Sequence, residues 1–164
     1  MISEKVQNAF NEQINAELYS AYLYLSMAAQ FEAMNLRGFA HWMRQQAKEE
    51  VSHAMKFFDH VNERGGRVAL KPIKAPPAEW RSPRAAFENA YKHEQKVTAL
   101  IDKLVKLAAG AGDNAAAVFL QWFVSEQVEE EASADEIVQK LKAIKDSANG
   151  LLMLDQALAK RDAD

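Results

Sequence analysis

The run MRQQAKEEVSHAMKF, from Met43 to Phe57, reads as one long helix with a charge on its buried face. At helical period Met43, Ala47, Ala54 and Phe57 share one face, the face that a helix in a globule buries. Glu50 interrupts that face, seven residues from both Met43 and Phe57, and His53 follows it at i+3. Three more carboxylates intrude on apolar stripes in the same way. Glu17 falls between Ile14 and Ala21, with Leu25 further along; Glu94 lies seven residues from Phe87 and Ile101; Glu130 lies seven from Phe123 and Ile137. An unpaired carboxylate in a core is costly to desolvate. No Lys or Arg shares these stripes nearby, so the candidate counter-charge is a metal.

Working outward from this run, the same period predicts four long helices and a short fifth. Ser3 is the expected N-cap of a first helix reaching about Glu32, through Val6, Phe10, Ile14, Leu18, Ala21 and Leu25. A tight break is expected at Asn35–Gly38. The second helix should stop at Gly65-Gly66, a common C-terminal signal. Residues Gly65 to Arg81 contain Pro72, Pro76 and Pro77 and read as an extended link. Ser82-Pro83 supplies an N-cap and an N1 proline for the third helix. Gly110–Asp113 ends the third helix and caps the fourth, and Ser147–Gly150 breaks the pattern before a tail helix.

Link lengths set the topology. Two short turns make two antiparallel hairpins, and the 17-residue link is long enough to run the length of a bundle. The expectation is a single all-α domain over residues 1–164: a four-helix bundle at about 3–145 with one long crossover, plus a C-terminal helix at about 149–160. Depth in such a bundle brings the acidic residues level. Glu17 and His53 each lie 18 residues from Asn35; Glu94 lies 17 before Ala111, with Gln127 and Glu130 16 and 19 after it. At 1.5 Å per residue, both sets sit about 25 Å from their turns. Glu17, Glu50, Glu94 and Glu130 carry four negative charges, which two divalent cations balance. Carboxylates with one imidazole suit Fe(II), Mn(II) or Zn(II).

Composition narrows the function classes. The 164 residues are 49% hydrophobic and 26% charged, enough for one sizeable core. A net charge of -3 gives no basic footprint for nucleic acid. Without Cys there is no thiolate site or iron–sulfur cluster. No apolar run approaches a membrane span and no signal-type segment opens the sequence, so a cytoplasmic location is expected.

The segments Asn11–Leu25, Lys48-Glu49-Glu50-Val51-Ser52-His53, Glu94 and Glu126-Gln127-Val128-Glu129-Glu130 closely resemble those of non-haem bacterial ferritins, across essentially the whole chain. The resemblance implies a ferritin-like bundle in which Glu17, Glu50 and His53 hold one iron and Glu50, Glu94 and Glu130 a second. It implies a third iron site at Glu49, Glu126, Glu129 and Glu130, with Gln127 beside the second iron and Tyr24 next to the pair. It further implies ferroxidase activity, with Fe(II) oxidised by O2 or H2O2 and ferric mineral stored in a hollow shell of 24 copies. No haem is expected: haem-containing bacterioferritins carry a second Glu-x-x-His and a haem-ligating Met, where this chain has Val51.

Other readings stay open on the residues alone, namely a diiron oxidase of another substrate or a metal-free structural bundle. His41, His60 and His93 read as ordinary residues on exposed or boundary faces, as do Glu131, Asp135 and Glu136 on theirs, and Trp122 reads as core. Leu151, Leu152, Met153, Leu154 and Leu158 crowd a segment expected to add nothing to a complete four-helix core. They are expected to make subunit contacts, and the resemblance would place them around a fourfold channel.

Overall fold

A computed structural model describes residues 1–162; the last two residues of the expected domain lie outside the described residues. Five helices follow in order: α1 Glu4–Ala33, α2 Arg37–Glu63, α3 Pro83–Gly110, α4 Asn114–Ile144 and α5 Ala148–Leu158. Four of them begin with a side-chain cap. Ser3, Ser82, Asp113 and Ser147 accept from the backbone N–H three residues on, at Val6, Ala85, Ala116 and Gly150. The turn between α1 and α2 places Asn35 at φ 57°, a left-handed conformation that Asn tolerates.

The 66–80 link runs extended along α1, which holds it at intervals. Asn11 bonds Arg67 O and Ala69 N, Asn15 bonds Lys71 O and Pro72 O, Ser26 bonds Pro77 O, and Gln30 bonds both backbone groups of Trp80. Polar residues on one outer face of α1 therefore satisfy a loop that has no ladder of its own. The link returns the chain to the far end of the bundle, and the crossover topology follows.

Two apolar clusters fill the bundle, one at each end. The first centres on Phe31, Phe39, Met43 and Phe87; the second on Phe10, Phe57, Leu120 and Phe123. The first extends into α5, where Leu154 and Leu158 are buried. This corrects the expectation that the tail helix adds no face to the core. The leucines expected around a channel are divided: Leu154 and Leu158 close the subunit's own core, Leu151 packs against it, and Leu152 and Met153 are exposed. The close approach has two causes. A Cβ on Gly38 would meet Asp155 O at 1.7 Å, so only glycine fits there. Asp155 Oδ1 then accepts from Phe39 N at 3.0 Å, supplying the N-cap that Leu36 cannot give α2.

Several local expectations also shift. Leu25 is 48% exposed because the buried stripe of α1 runs through Tyr24 instead, one residue or 100° around the helix. Trp122 is 41% exposed and not core. Gly38 and Gly150 lie inside α2 and α5 and not in the breaks.

Candidate metal centre

Between the two apolar clusters lies a buried polar layer, built by one residue each from α1 and α3 and two each from α2 and α4. Glu17 from α1, Glu50 and His53 from α2, Glu94 from α3, and Gln127 and Glu130 from α4 are all at most 6% exposed. Their ligand atoms form overlapping groups within 4.8 Å: Glu17, Glu50 and His53; then Glu50, Glu94 and Glu130; then His53, Glu126 and Glu130. Glu50 belongs to the first two and Glu130 to the last two, so each carboxylate links neighbouring groups. His53 Nδ1 stands 3.3 Å from Glu50 Oε2, and His53 Nε2 3.8 Å from Glu126 Oε1.

Glutamine amides orient these carboxylates. Gln13 Nε2 donates to Glu17 Oε1 at 2.8 Å. Gln46 Nε2 donates to Glu50 Oε1 at 3.1 Å and to Glu130 Oε2 at 2.7 Å. Gln127 Nε2 donates to Glu94 Oε2 at 3.1 Å, to Glu94 O at 3.2 Å and to Thr98 Oγ1 at 3.3 Å. The Tyr24 hydroxyl donates to Glu94 Oε1. After these bonds Glu17 Oε2 and Glu130 Oε1 are still buried without a hydrogen-bond partner. Buried carboxylate oxygens left so are costly, and a cation is the partner that this donor set fits.

The electrostatics agree with that fit. Burial raises the Glu17 carboxyl from 4.5 to about 7, with Glu94 adding to the shift while the bond from Gln13 and the nearby Glu50 carboxyl oppose it. Glu50 is pushed well above the carboxylate range, first by burial and then by Glu94, Glu17 and Glu130. Burial likewise raises Glu94, and it raises Glu130 well above the range with help from Glu94 and Glu49. Burial lowers His53 to about 4, with Lys56 contributing, so its imidazole is neutral near pH 7 and keeps a lone pair to donate. Burial followed by Glu94 raises the Tyr24 phenol well above its ordinary value. Acids that resist ionising together can exchange their protons for bound cations.

Three residues given the same task by resemblance stand apart from this layer. Glu126 joins a ligand group, as above. Glu49 is half-buried and pairs with Arg161. Glu129 is exposed and enters no such group among the described residues. Gln13 and Gln46 carried no expectation, although both lie four residues before a candidate ligand, in Gln13-x-x-x-Glu17 and Gln46-x-x-x-Glu50. That spacing was the signal, since i and i+4 are neighbours on a helix. All three histidines expected to be ordinary are half-buried; at His93, burial and then Lys96 lower the imidazole to about 4, and the ring bonds Ser20 Oγ at 2.7 Å.

Residues 7–144 match the ferritin-like domain that defines the Ferritin family. The chain belongs to the ferritin family. A bacterial non-heme ferritin of Bacteroides fragilis is 47% identical over 161 residues, covering 98% of this chain and 100% of that one. An engineered closed form of the Archaeoglobus fulgidus ferritin is 56% identical, superposes with a TM-score of 0.99 and covers 100% of both chains. The open pore ferritin of the same hyperthermophilic archaeon is 56% identical with a TM-score of 0.97, over 98% of both. Iron storage is the function that ferritin membership carries. Among the described residues, no helix is long and apolar enough to cross a membrane.

Proposed function

We propose that this ferritin oxidises Fe(II) at the layer around Glu50 and stores the ferric product inside a 24-subunit shell in the cytoplasm. Iron is the substrate and cargo here. Glu17, Glu50 and His53 would receive one Fe(II), and Glu50, Glu94 and Glu130 the second, with Glu50 shared. Each Fe(II) gives up one electron. With O2 as oxidant, two Fe(II), one O2 and two protons yield two Fe(III) and one H2O2; with H2O2 as oxidant, two Fe(II), one H2O2 and two protons yield two Fe(III) and two waters.

The protein's own residues prepare this step. The four acids lose their protons as Fe(II) arrives, because cation charge replaces the desolvated carboxyl protons as the stabilising partner. Gln13, Gln46 and Gln127 fix the carboxylate rotamers before binding, so little ordering remains to be done. Tyr24, which donates to Glu94, would add one electron and its phenolic proton: three Fe(II), Tyr24, one O2 and three further protons then yield three Fe(III), a Tyr24 radical and two waters in place of H2O2. The dry layer limits water access to the metals.

The observation that carries this reading is the pair of partnerless buried oxygens on Glu17 and Glu130, within a layer of four mutually repelling carboxylates. A metal-free structural bundle gives those groups nothing to do. The test adds Fe(II) anaerobically to the metal-free assembly and then admits O2. Two irons oxidised rapidly per subunit, with iron retained at the native mass of a shell, are expected. A protein that oxidises no iron faster than buffer would overturn the reading.

A further inference from the structure

The C-terminal end of the chain reaches the metal centre through one side chain. Arg161 lays its guanidinium 4.3 Å over the Trp42 ring, and its Nη1 donates to Trp42 O at 3.3 Å and to Gln46 Oε1 at 2.9 Å. Its Nη2 donates to Glu49 Oε2. The backbone there is anchored too, since Arg161 O accepts from His41 Nε2 at 2.7 Å. Gln46 is thereby held from both ends: the guanidinium binds its oxygen while its nitrogen holds Glu50 and Glu130.

Glu49 also forms part of the wall of a cavity of about 420 Å3 beside the centre, where Gln45, Ser52, His53, Trp122 and Glu126 complete the lining with two lysines, Lys48 and Lys56. Two of these, His53 and Glu126, form a ligand group with Glu130. The Glu49 charge acts on Glu130 as well. The cavity is therefore a position for a cation just outside the inner pair, with Glu49 at its edge. Gln45 Oε1, buried without a hydrogen-bond partner, belongs to the same wall.

We propose that Arg161 gates this cavity: its guanidinium stands in for a cation at Glu49, and a cation settling there must displace it. The Arg161 and Glu49 side chains are only 17% and 15% exposed, so solvent screens their pairing weakly. A charge-assisted bond of this kind is roughly twice as strong as a neutral one, so a cation that takes this carboxylate oxygen must offset its loss. It neutralises a charge that would otherwise favour the outer position, so that position fills after the inner two. Displacing the guanidinium also releases Gln46 Oε1, and with it one restraint on the amide that orients Glu50 and Glu130. Outer-site occupancy and the seating of the C-terminal arm are thus one equilibrium.

The inference rests on the proposed metal centre, and Zn(II), which has no redox chemistry, separates the two. Calorimetric titration of the metal-free assembly is expected to give two tight equivalents per subunit in the parent, in Arg161→Gln and in Arg161→Lys. A weaker third equivalent should bind about tenfold more tightly in Arg161→Gln, within the usual range of such couplings. It should stay near the parent in Arg161→Lys, which keeps the charge. Two tight equivalents with a third that is unmoved or weakened in Arg161→Gln overturn the gate alone. A parent without two tight equivalents overturns the metal centre and the gate with it. Should Arg161→Gln lose the parental native mass, hydrogen exchange on the parent decides. The peptide containing Arg161 should exchange faster on the third equivalent of Zn(II) and not on the first two; unchanged protection overturns the gate.

Discussion

The apolar ends of this bundle and the polar layer between them are built by the same four helices to opposite effect. At the Phe10 end, Phe57 packs edge-on to Phe10 at 5.1 Å and tilted on Phe123 at 4.3 Å, and every ring finds a neighbour. One heptad along α2 from Phe57, Glu50 sits among three like charges, and two oxygens of the layer find no partner at all. The ends hold the layer in a geometry that it would not choose by itself. Stability and function are therefore divided along the helix axis, and mutations should divide the same way.

The largest effect is expected from the apolar side. Phe10→Ala removes a fully buried ring and should cost about 3–5 kcal/mol in denaturant unfolding. Because Phe10 touches no ligand, the rate of the first oxidation phase should change by no more than about twofold in the folded assembly. A large loss of rate without a loss of stability would break the division.

The polar layer should show its own strain as a pH effect in the metal-free protein. The Glu17 carboxyl is raised from 4.5 to about 7 on folding, so the native state holds that proton more tightly than the unfolded chain does. Its contribution is unperturbed below about 4.5 and becomes a penalty as pH rises through about 7, reaching roughly 3 kcal/mol. His53 and His93, lowered to about 4, act in the other direction: they lose stability as pH falls from 6.5 toward 4. Glu17→Gln leaves both histidines in place, so they cancel in the comparison with the parent. The Gln variant should match the parent near pH 4.5 and gain on it steadily up to pH 7. A difference that does not vary with pH would contradict the assigned strain.

The smallest effect is expected at the boundary of the layer. Tyr24→Phe keeps the ring against its neighbours and removes only the donor to Glu94. Iron binding should be intact, with oxidation severalfold slower or more H2O2 released. Identical kinetics and peroxide yield would leave Tyr24 with packing as its only role.

Much of this division can be read from the chain. Helical period and the spacing of Glu17, Glu50, Glu94 and Glu130 from their turns bring the ligands level, because both depend only on a regular helix. The caps at Ser3, Ser82 and Asp113 are equally local. What escaped was everything decided between elements. The role of α5 depends on Gly38 admitting Asp155 and on Leu154 entering the first cluster, contacts made across more than a hundred residues. Arg161 on Glu49 is of the same kind. Leu25 was misplaced for a different reason: one residue of drift on a long stripe moves a side chain by 100°.

The central claim is that Glu50 is the carboxylate shared by two irons, and Glu50→Gln tests it most directly. The substitution keeps the size of the side chain and one acceptor oxygen for Gln46, while it removes the charge and turns the second oxygen into an NH2 that cannot bind a cation. Rapid Fe(II) oxidation, followed after an O2 pulse to the anaerobically loaded assembly, should be almost abolished while native mass and metal-free stability are kept or improved. A Glu50→Gln assembly that oxidises its first two irons per subunit at the parental rate would contradict the account.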